Sequence, residues 1–388
     1  MSNDNVPGAR TRILRSIAAY VPAAAWLRSY RTKNFTVDLV AGLSLAAFVI
    51  PESLAYASLA GLPPVTGLYC YLVAGIAYAL FGSSRQLAVG PTSSLAIVVA
   101  AGVASVTGDP SHFIALASAI ALLVGLVAIG GRYLGLANAA YFISDPVLAG
   151  FKTGAALYIA STQLPKLFGV EGGAGNFFER VAHVAAVLPE THIASLIVGV
   201  AAIALFITCD RLFPGRPTTL VVVIAAIAVT SAFHLDKIGI KIVGALPHGL
   251  PPLGPPAIAA AEISALIPLA LACFVLAYGE AISVARSFAQ KHGYDIDPEQ
   301  ELTALGAANI ATGLAHGFPV AGGMSQSAVN DMGGASSPFA LVVTSIAIAL
   351  TLLFFAGFFH NLPEPVLGAI VLMAPENVKA AASARFNK

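Results

Sequence analysis

Two short polar stretches interrupt otherwise apolar runs of this chain: "GPTSS", Gly90 to Ser94, and "GGMSQS", Gly322 to Ser327. In a hydrocarbon layer every peptide N–H and C=O needs a partner, so a broken helix survives there only against protein or a wet cavity. Glycine and proline followed by hydroxyls therefore point to a helix that begins inside the layer. Its first-turn amides are unsatisfied and its N-terminus carries about half a positive charge. Such an end binds anions. The candidate substrate-binding residues are Thr92, Ser93 and Ser94 from one stretch and Gly322, Gly323, Met324, Ser325 and Gln326 from the other. The two glycines would let amides approach a ligand without a side chain in the way, and the hydroxyls add donors. Small residues also serve close helix packing. The matched placement of two such breaks favours a site.

Two carboxylates stand in the same kind of setting. Glu52 follows Pro51 in the middle of an apolar segment, and Glu280 lies in "LAYGEAISVA". An ionisable group at that depth costs about 2.5–3.5 kcal/mol on insertion scales, so its presence is a functional signal. Both are candidate coupling-ion residues. Glu52 suits a proton carrier, because taking up a proton as an anion binds keeps the loaded site close to neutral. Glu280 reads as a cation ligand, a second proton site or the partner of a purely structural hydrogen bond; Arg286, six residues on, projects from a different helical face. Asp145, before Pro146, reads as a helix cap, and Asp331 as a residue facing the cytoplasmic side. Lys152 reads as a cation snorkelling to the interface. His316 reads as a loop histidine, and Asn309, Asn330 and Gln163 are further polar positions within apolar runs.

The elements that must carry these groups follow from composition. The 388 residues are 57% hydrophobic and 10% charged, with a mean hydropathy of +0.84, whereas soluble domains have about 25% charged residues. A span needs about 20 apolar residues. Twelve apolar segments are predicted, near 39–60, 66–82, 87–106, 113–130, 146–164, 193–209, 218–234, 264–285, 300–315, 322–332, 338–359 and 363–374. Residues 1–36 hold six Lys and Arg and read as a cytoplasmic leader, without the pattern of a signal peptide. On that orientation the cytoplasmic connections hold Arg85, Arg132, Arg211 with Arg216, and Arg286 with Lys291, as short positive-inside loops should. The opposite connections are poorer in Arg; they include 174–188, whose apolar spacing predicts a helix lying along the interface.

The breaks fall in the third and tenth segments. Seven is odd, so equivalent segments run in opposite directions, which defines an inverted repeat and places two half-helix N-termini face to face. A net charge of +1 with no basic stripe gives no reason to expect nucleic acid. Cys70, Cys209 and Cys273 share no metal or redox spacing and read as packing residues. No HExxH, GxSxG or paired-aspartate pattern suggests an intramembrane enzyme, and no cofactor is expected.

Several collinear stretches resemble the SulP family of anion transporters. They are "PESLAYASLAGLPPVTGLY", "FGSSRQLAVGPTSSLAI", "SDPVLAGFKTGAALYIASTQLPKLFG", "VGALPHGLPP" and the run from "ARSFAQKHGYD" to "GGMSQSAVNDMGGASSP". The resemblance implies an all-α polytopic membrane protein of seven plus seven inverted segments, with core and gate subdomains. Here it would be a transmembrane domain over 37–375, truncated after about twelve segments. A short polar tail, 376–388, follows, with no STAS domain. It also implies secondary active transport of a small inorganic or carboxylate anion (sulfate, bicarbonate, chloride or dicarboxylate) by alternating access, with H+ or Na+ as coupling ion. The expected setting is the lipid bilayer of the plasma membrane, and full-length relatives form homodimers. A channel, a non-transporting anion sensor or a nucleobase transporter of the same architecture are the alternatives. Where many members of that family carry Arg, this sequence has Gln326, which shifts the expectation toward a monovalent or neutralised anion.

Overall fold

The computed structural model describes residues 22–109, 112–137, 145–173, 177–213, 218–247 and 249–373. The side chains of Asp145 and Lys152 lie outside the described residues, as do most of the leader and the tail, so the capping and snorkelling expectations concern groups that are not described. Each of the predicted apolar segments contains a helix. A short helix α1 (Ala23–Ser29) is followed by α2 (Thr32–Leu59), α3 (Val65–Phe81), the two-residue strand β1 (Val89–Gly90), α4 (Ser93–Val106) and α5 (Phe113–Tyr133). Next come α6 (Asp145–Phe168), α7 (Phe177–Val187), α8 (Ile193–Leu212) and α9 (Thr218–Phe233). The second half holds α10 (Ala260–His292), α11 (Pro298–Leu314), β2 (Ala321–Gly322), α12 (Met324–Met332), α13 (Phe339–Leu350) and α14 (Glu364–Met373). α13 runs on through a π turn, Thr351–Phe355, and a 3-10 turn, Ala356–Asn361.

The packing repeats itself with the halves exchanged. α5 lies along α11 as α13 lies along α3, and α4 packs on α10 as α12 packs on α2. β1 pairs with β2 across the centre of this arrangement. The central helices approach closely because glycine permits it: a Cβ on Gly306 would stand 2.9 Å from the Gly125 carbonyl, and one on Gly125 2.8 Å from that of Gly306. A second group of helices, α6, α8, α9 and α14, packs together at the side and meets the first along α2 and, through α6, along α4. Of α7, the helix expected at the interface, only Val184 is buried. Cys70 and Cys273 are buried and all three cysteines are free thiols. The Cys70 sulfur accepts a hydrogen bond from the Phe318 N–H at 3.2 Å.

Candidate functional site

The two broken segments start from one place. Val89 pairs with Gly322 and Gly90 with Ala321 in antiparallel register. Gly323 N–H donates to the Ala88 carbonyl at 3.2 Å, and Ala88 N–H donates to Ser327 Oγ at 2.9 Å. α4 begins three residues after β1 and α12 two residues after β2, so the N-termini of both half-helices leave the same small sheet in opposite directions. Neither N-cap residue, Thr92 or Gly323, caps its helix with a side chain.

The glycines here answer first to packing. A Cβ on Gly322 would stand 2.7 Å from Leu87 and 2.9 Å from the Ala281 backbone, and one on Gly323 would meet the Gln326 amide at 2.9 Å. The Tyr71 ring occupies the space beside Gly90. The close approach that glycine permits at these positions is thus between α10, the strands and α12.

The carboxylates expected from the sequence both reach this centre. Tyr56 OH donates to Glu52 Oε1 at 3.0 Å, and Gln326 Nε2 donates to Glu52 Oε2 at 3.0 Å and to the Pro91 carbonyl at 2.8 Å. Glu52 therefore ties α2 to the start of α12, while Gln326 also holds the break before α4. On the other side, Ser94 Oγ donates to Glu280 Oε1 at 2.8 Å and Thr92 Oγ1 to Oε2 at 3.4 Å, which ties α10 to the start of α4. Each continuous helix thus offers a carboxylate to a half-helix N-terminus, once in each repeat. Thr92, Ser93, Ser94, Ser325, Gln326, Glu52 and Glu280 are all buried, whereas Met324 is 37% exposed. Both acceptors on Gln326 Nε2 fix its amide orientation, and that leaves Gln326 Oε1 buried with no hydrogen-bond partner.

Several further residues hold this centre, and only some of them carried a signal in the sequence. Asn309 Nδ2 donates to the Val320 carbonyl and its Oδ1 accepts from Val320 N–H, both at 3.0 Å, so this side chain imitates a strand partner for the chain entering β2. Asn330 Nδ2 donates to the Gln86 carbonyl at 3.0 Å, three residues before β1. Glu301 accepts from Ser83 N–H at 2.9 Å, from Ser83 Oγ at 2.7 Å and from Tyr78 OH, fixing the turn before β1. Asp38 does the same after α12, accepting from Ser336 N–H at 2.7 Å and Ser337 Oγ at 2.6 Å. Polarity within an apolar run flagged Asn309 and Asn330, but Glu301 stands in the first turn of α11, where acidic residues are ordinary, and Asp38 in the second turn of α2, close to the polar leader. Asp331 belongs to the last turn of α12 and is paired with Lys291 Nζ at 2.6 Å and His292 Nε2 at 2.5 Å. His316 occupies a left-handed turn after α11.

Replacing Asn309 by Leu leaves the Val320 N–H and C=O buried without their partner. Each such group costs about 1–3 kcal/mol. The expected outcome is a clear fall in thermal stability of the purified protein; an unchanged melting temperature would mean that the β1–β2 crossing needs no such support.

This is the architecture of a multi-pass membrane protein with an inverted repeat and two broken helices crossing at its centre. The model of the sulfate permease family matches residues 35–386, and the chain belongs to that family. Among curated proteins it is 35% identical to the probable sulfate transporter MT1781 of Mycobacterium tuberculosis over 359 residues, which is 92% of this chain and 64% of that one. The chain thus spans less than two thirds of that relative's length. Human solute carrier family 26 member 6 is 31% identical over 94% of this chain and 51% of its own. In fold, it superposes on murine solute carrier 26 family member A9 with a TM-score of 0.88, at 23% identity, over 100% of this chain and 67% of that one. The transmembrane domain of the cyanobacterial bicarbonate transporter BicA gives 0.83, at 21% identity, over 92% of each chain.

Proposed function

We propose that this chain carries a small anion across the membrane by alternating access, in symport with protons bound at Glu52. The observation that carries the reading is the crossing of two half-helices whose N-termini lie between Glu52 and Glu280. Amides and hydroxyls supply the positive field for an anion. The coupled carboxylate supplies the means to release it: with Glu52 charged, an anion beside it is repelled, and with Glu52 protonated the repulsion is gone and a donor is added. Glu280, fixed by Ser94 and Thr92, is the second proton site or the ligand of a sodium ion. The bare acceptor on Gln326 favours an anion that carries a hydrogen, or a monovalent one, over a fully charged divalent ion. Relatives named for sulfate and for bicarbonate support a small oxyanion as the cargo, with chloride and dicarboxylates as further candidates. In this reading the N-terminus is cytoplasmic, the membrane is the plasma membrane, and a homodimer is the expected assembly.

The test is a thermal-shift series on the purified chain with sulfate, bicarbonate, chloride, a dicarboxylate and uracil, followed by uptake into liposomes. A ligand present at 100 times its Kd stabilises by about 2.7 kcal/mol. Stabilisation by an anion together with uptake that rises as the outer pH falls supports the reading. Stabilisation by uracil alone, or anion flux indifferent to pH, overturns it.

A further inference from the structure

A cavity of about 170 Å³ lies where α4, of the core, meets α6 and α7. Two cations line it: Lys166 from the last turn of α6 and Arg180 from α7. Arg180 rests over the Tyr158 ring, its Cζ 5.2 Å from the ring centre. Gln163, also in the wall, is buried at 1% exposure with its Oε1 lacking a hydrogen-bond partner, while its Nε2 donates to Thr162 Oγ1 at 3.1 Å. The α4 wall is made of Ile97, Ala100, Ala101 and Ala104, which recur at helical spacing on one face. One turn below Ile97 on that face is Ser93. From Ala101 to Ser94 the helix rises about 10 Å at 1.5 Å per residue. The cavity and the crossing centre are therefore two stations along one helix, with the Ile97 side chain between Ala101 and Ser93 on the face that joins them.

We infer that this cavity is a second anion site, a staging site for the same small anions on the membrane face away from the N-terminus. The inference rests on the proposed function for the identity of its ligand. Its logic is one of dielectric. A permanent cation beside the deep crossing would be costly and would hold an anion too firmly. The side-chain donors Tyr56, Gln326, Ser94 and Thr92 at the crossing are neutral. Lys166 and Arg180 are both half-buried in the cavity wall, away from the crossing itself, and their positive field concentrates anions there. A water takes about 30 Å³ of liquid, so the cavity holds a polyatomic oxyanion with part of its hydration. The opposing charges are Glu364, which stands close enough to Lys166 to act on it electrostatically, and the exposed Glu179 on α7. Because α4 belongs to the central group of helices and α6 to the lateral one, sliding of one group past the other opens or closes this station.

The experiment uses the full chain in liposomes, with Lys166→Gln and Arg180→Gln singly and together, and two readouts. The first is initial uptake against external sulfate and bicarbonate at low and high ionic strength. For the double variant KM is expected to rise about ten-fold at low ionic strength with the maximal rate kept. The difference should shrink as the Debye length falls from about 30 Å at 0.01 M to about 3 Å at 1 M salt. Lys166→Arg and Arg180→Lys should restore the wild-type value, and Glu364→Gln should lower KM. The second readout is equilibrium binding of labelled sulfate to the purified protein, in which the weaker of two components is expected to vanish in the double variant. An unchanged KM, or a lower maximal rate at constant KM, with both binding components intact, overturns the staging site alone. A weaker binding component that vanishes in the double variant, in a protein whose wild type shows no uptake, overturns the transport reading alone. No anion binding in any form overturns both.

Discussion

Glu52→Gln is expected to leave the anion bound and to abolish the dependence of uptake on the proton gradient. The substitution keeps the shape of the side chain and a place for each neighbour. The carbonyl of the introduced amide can accept from Gln326 Nε2, now 3.0 Å from Glu52 Oε2, and its NH2 group can donate to the Tyr56 hydroxyl oxygen, now 3.0 Å from Oε1. What the change removes is the exchangeable proton. One proton moved per cycle across a gradient of one pH unit supplies about 1.4 kcal/mol, or about ten-fold in accumulation. Wild type should therefore accumulate anion more strongly as the outer pH falls, and the variant should accumulate the same amount at every gradient. Retained thermal stabilisation by the anion separates lost coupling from lost folding. A variant that still follows the gradient would move the proton site elsewhere, with Glu280→Gln the next to measure.

Gln326→Arg should change which anion is preferred. Gln326 is buried between the Glu52 carboxylate and the Pro91 carbonyl, 2.8 Å from the latter, at the first turn of α12. A guanidinium there pairs with Glu52 and holds it ionised, so the pH dependence should disappear. At about 4 Å and an effective dielectric constant near 20, unit charges interact by roughly 4 kcal/mol, much of which desolvation of the new cation consumes. A remainder of about 1.4 kcal/mol corresponds to a ten-fold rise in affinity for sulfate relative to chloride. Competition between the two ions in the thermal-shift assay measures that ratio. The double variant Glu52→Gln with Gln326→Arg, in which the carboxylate that would neutralise the new cation is gone, should show the larger preference. If the ratio stays at the wild-type value in both, the anion does not sit beside residue 326, and the crossing of the half-helices would have to bind it from another side.

Both experiments turn on one contact, Glu52 to Gln326, between residues 274 positions apart. The sequence marked each of them separately, Glu52 as a carboxylate inside an apolar run and Gln326 as a neutral side chain at a half-helix start. Nothing in either local pattern said that they touch. The same holds for Glu280, whose depth in the apolar run was legible while its partners Ser94 and Thr92 were not. For Gly322 the sequence suggested room for a ligand, and the tertiary structure filled that room with Leu87 and Ala281. For Asp38 and Glu301 no pattern distinguished a carboxylate that caps a distant loop from one facing water.

By itself the sequence determined that this chain is a multi-pass membrane protein, which stretches form its apolar helices, where two of them break, and that the halves run in opposite directions. Those properties follow from hydropathy, length and the demand that each peptide group be satisfied, and all three act within a single segment. Only the tertiary structure decided which carboxylate meets which broken helix, that Asn309 completes the strand pair, and that Lys166 and Arg180 share a cavity. Such pairings depend on how helices cross, and helix packing in a membrane is set by the fit of whole surfaces, among small residues such as Gly125 and Gly306, and by no short pattern along the chain.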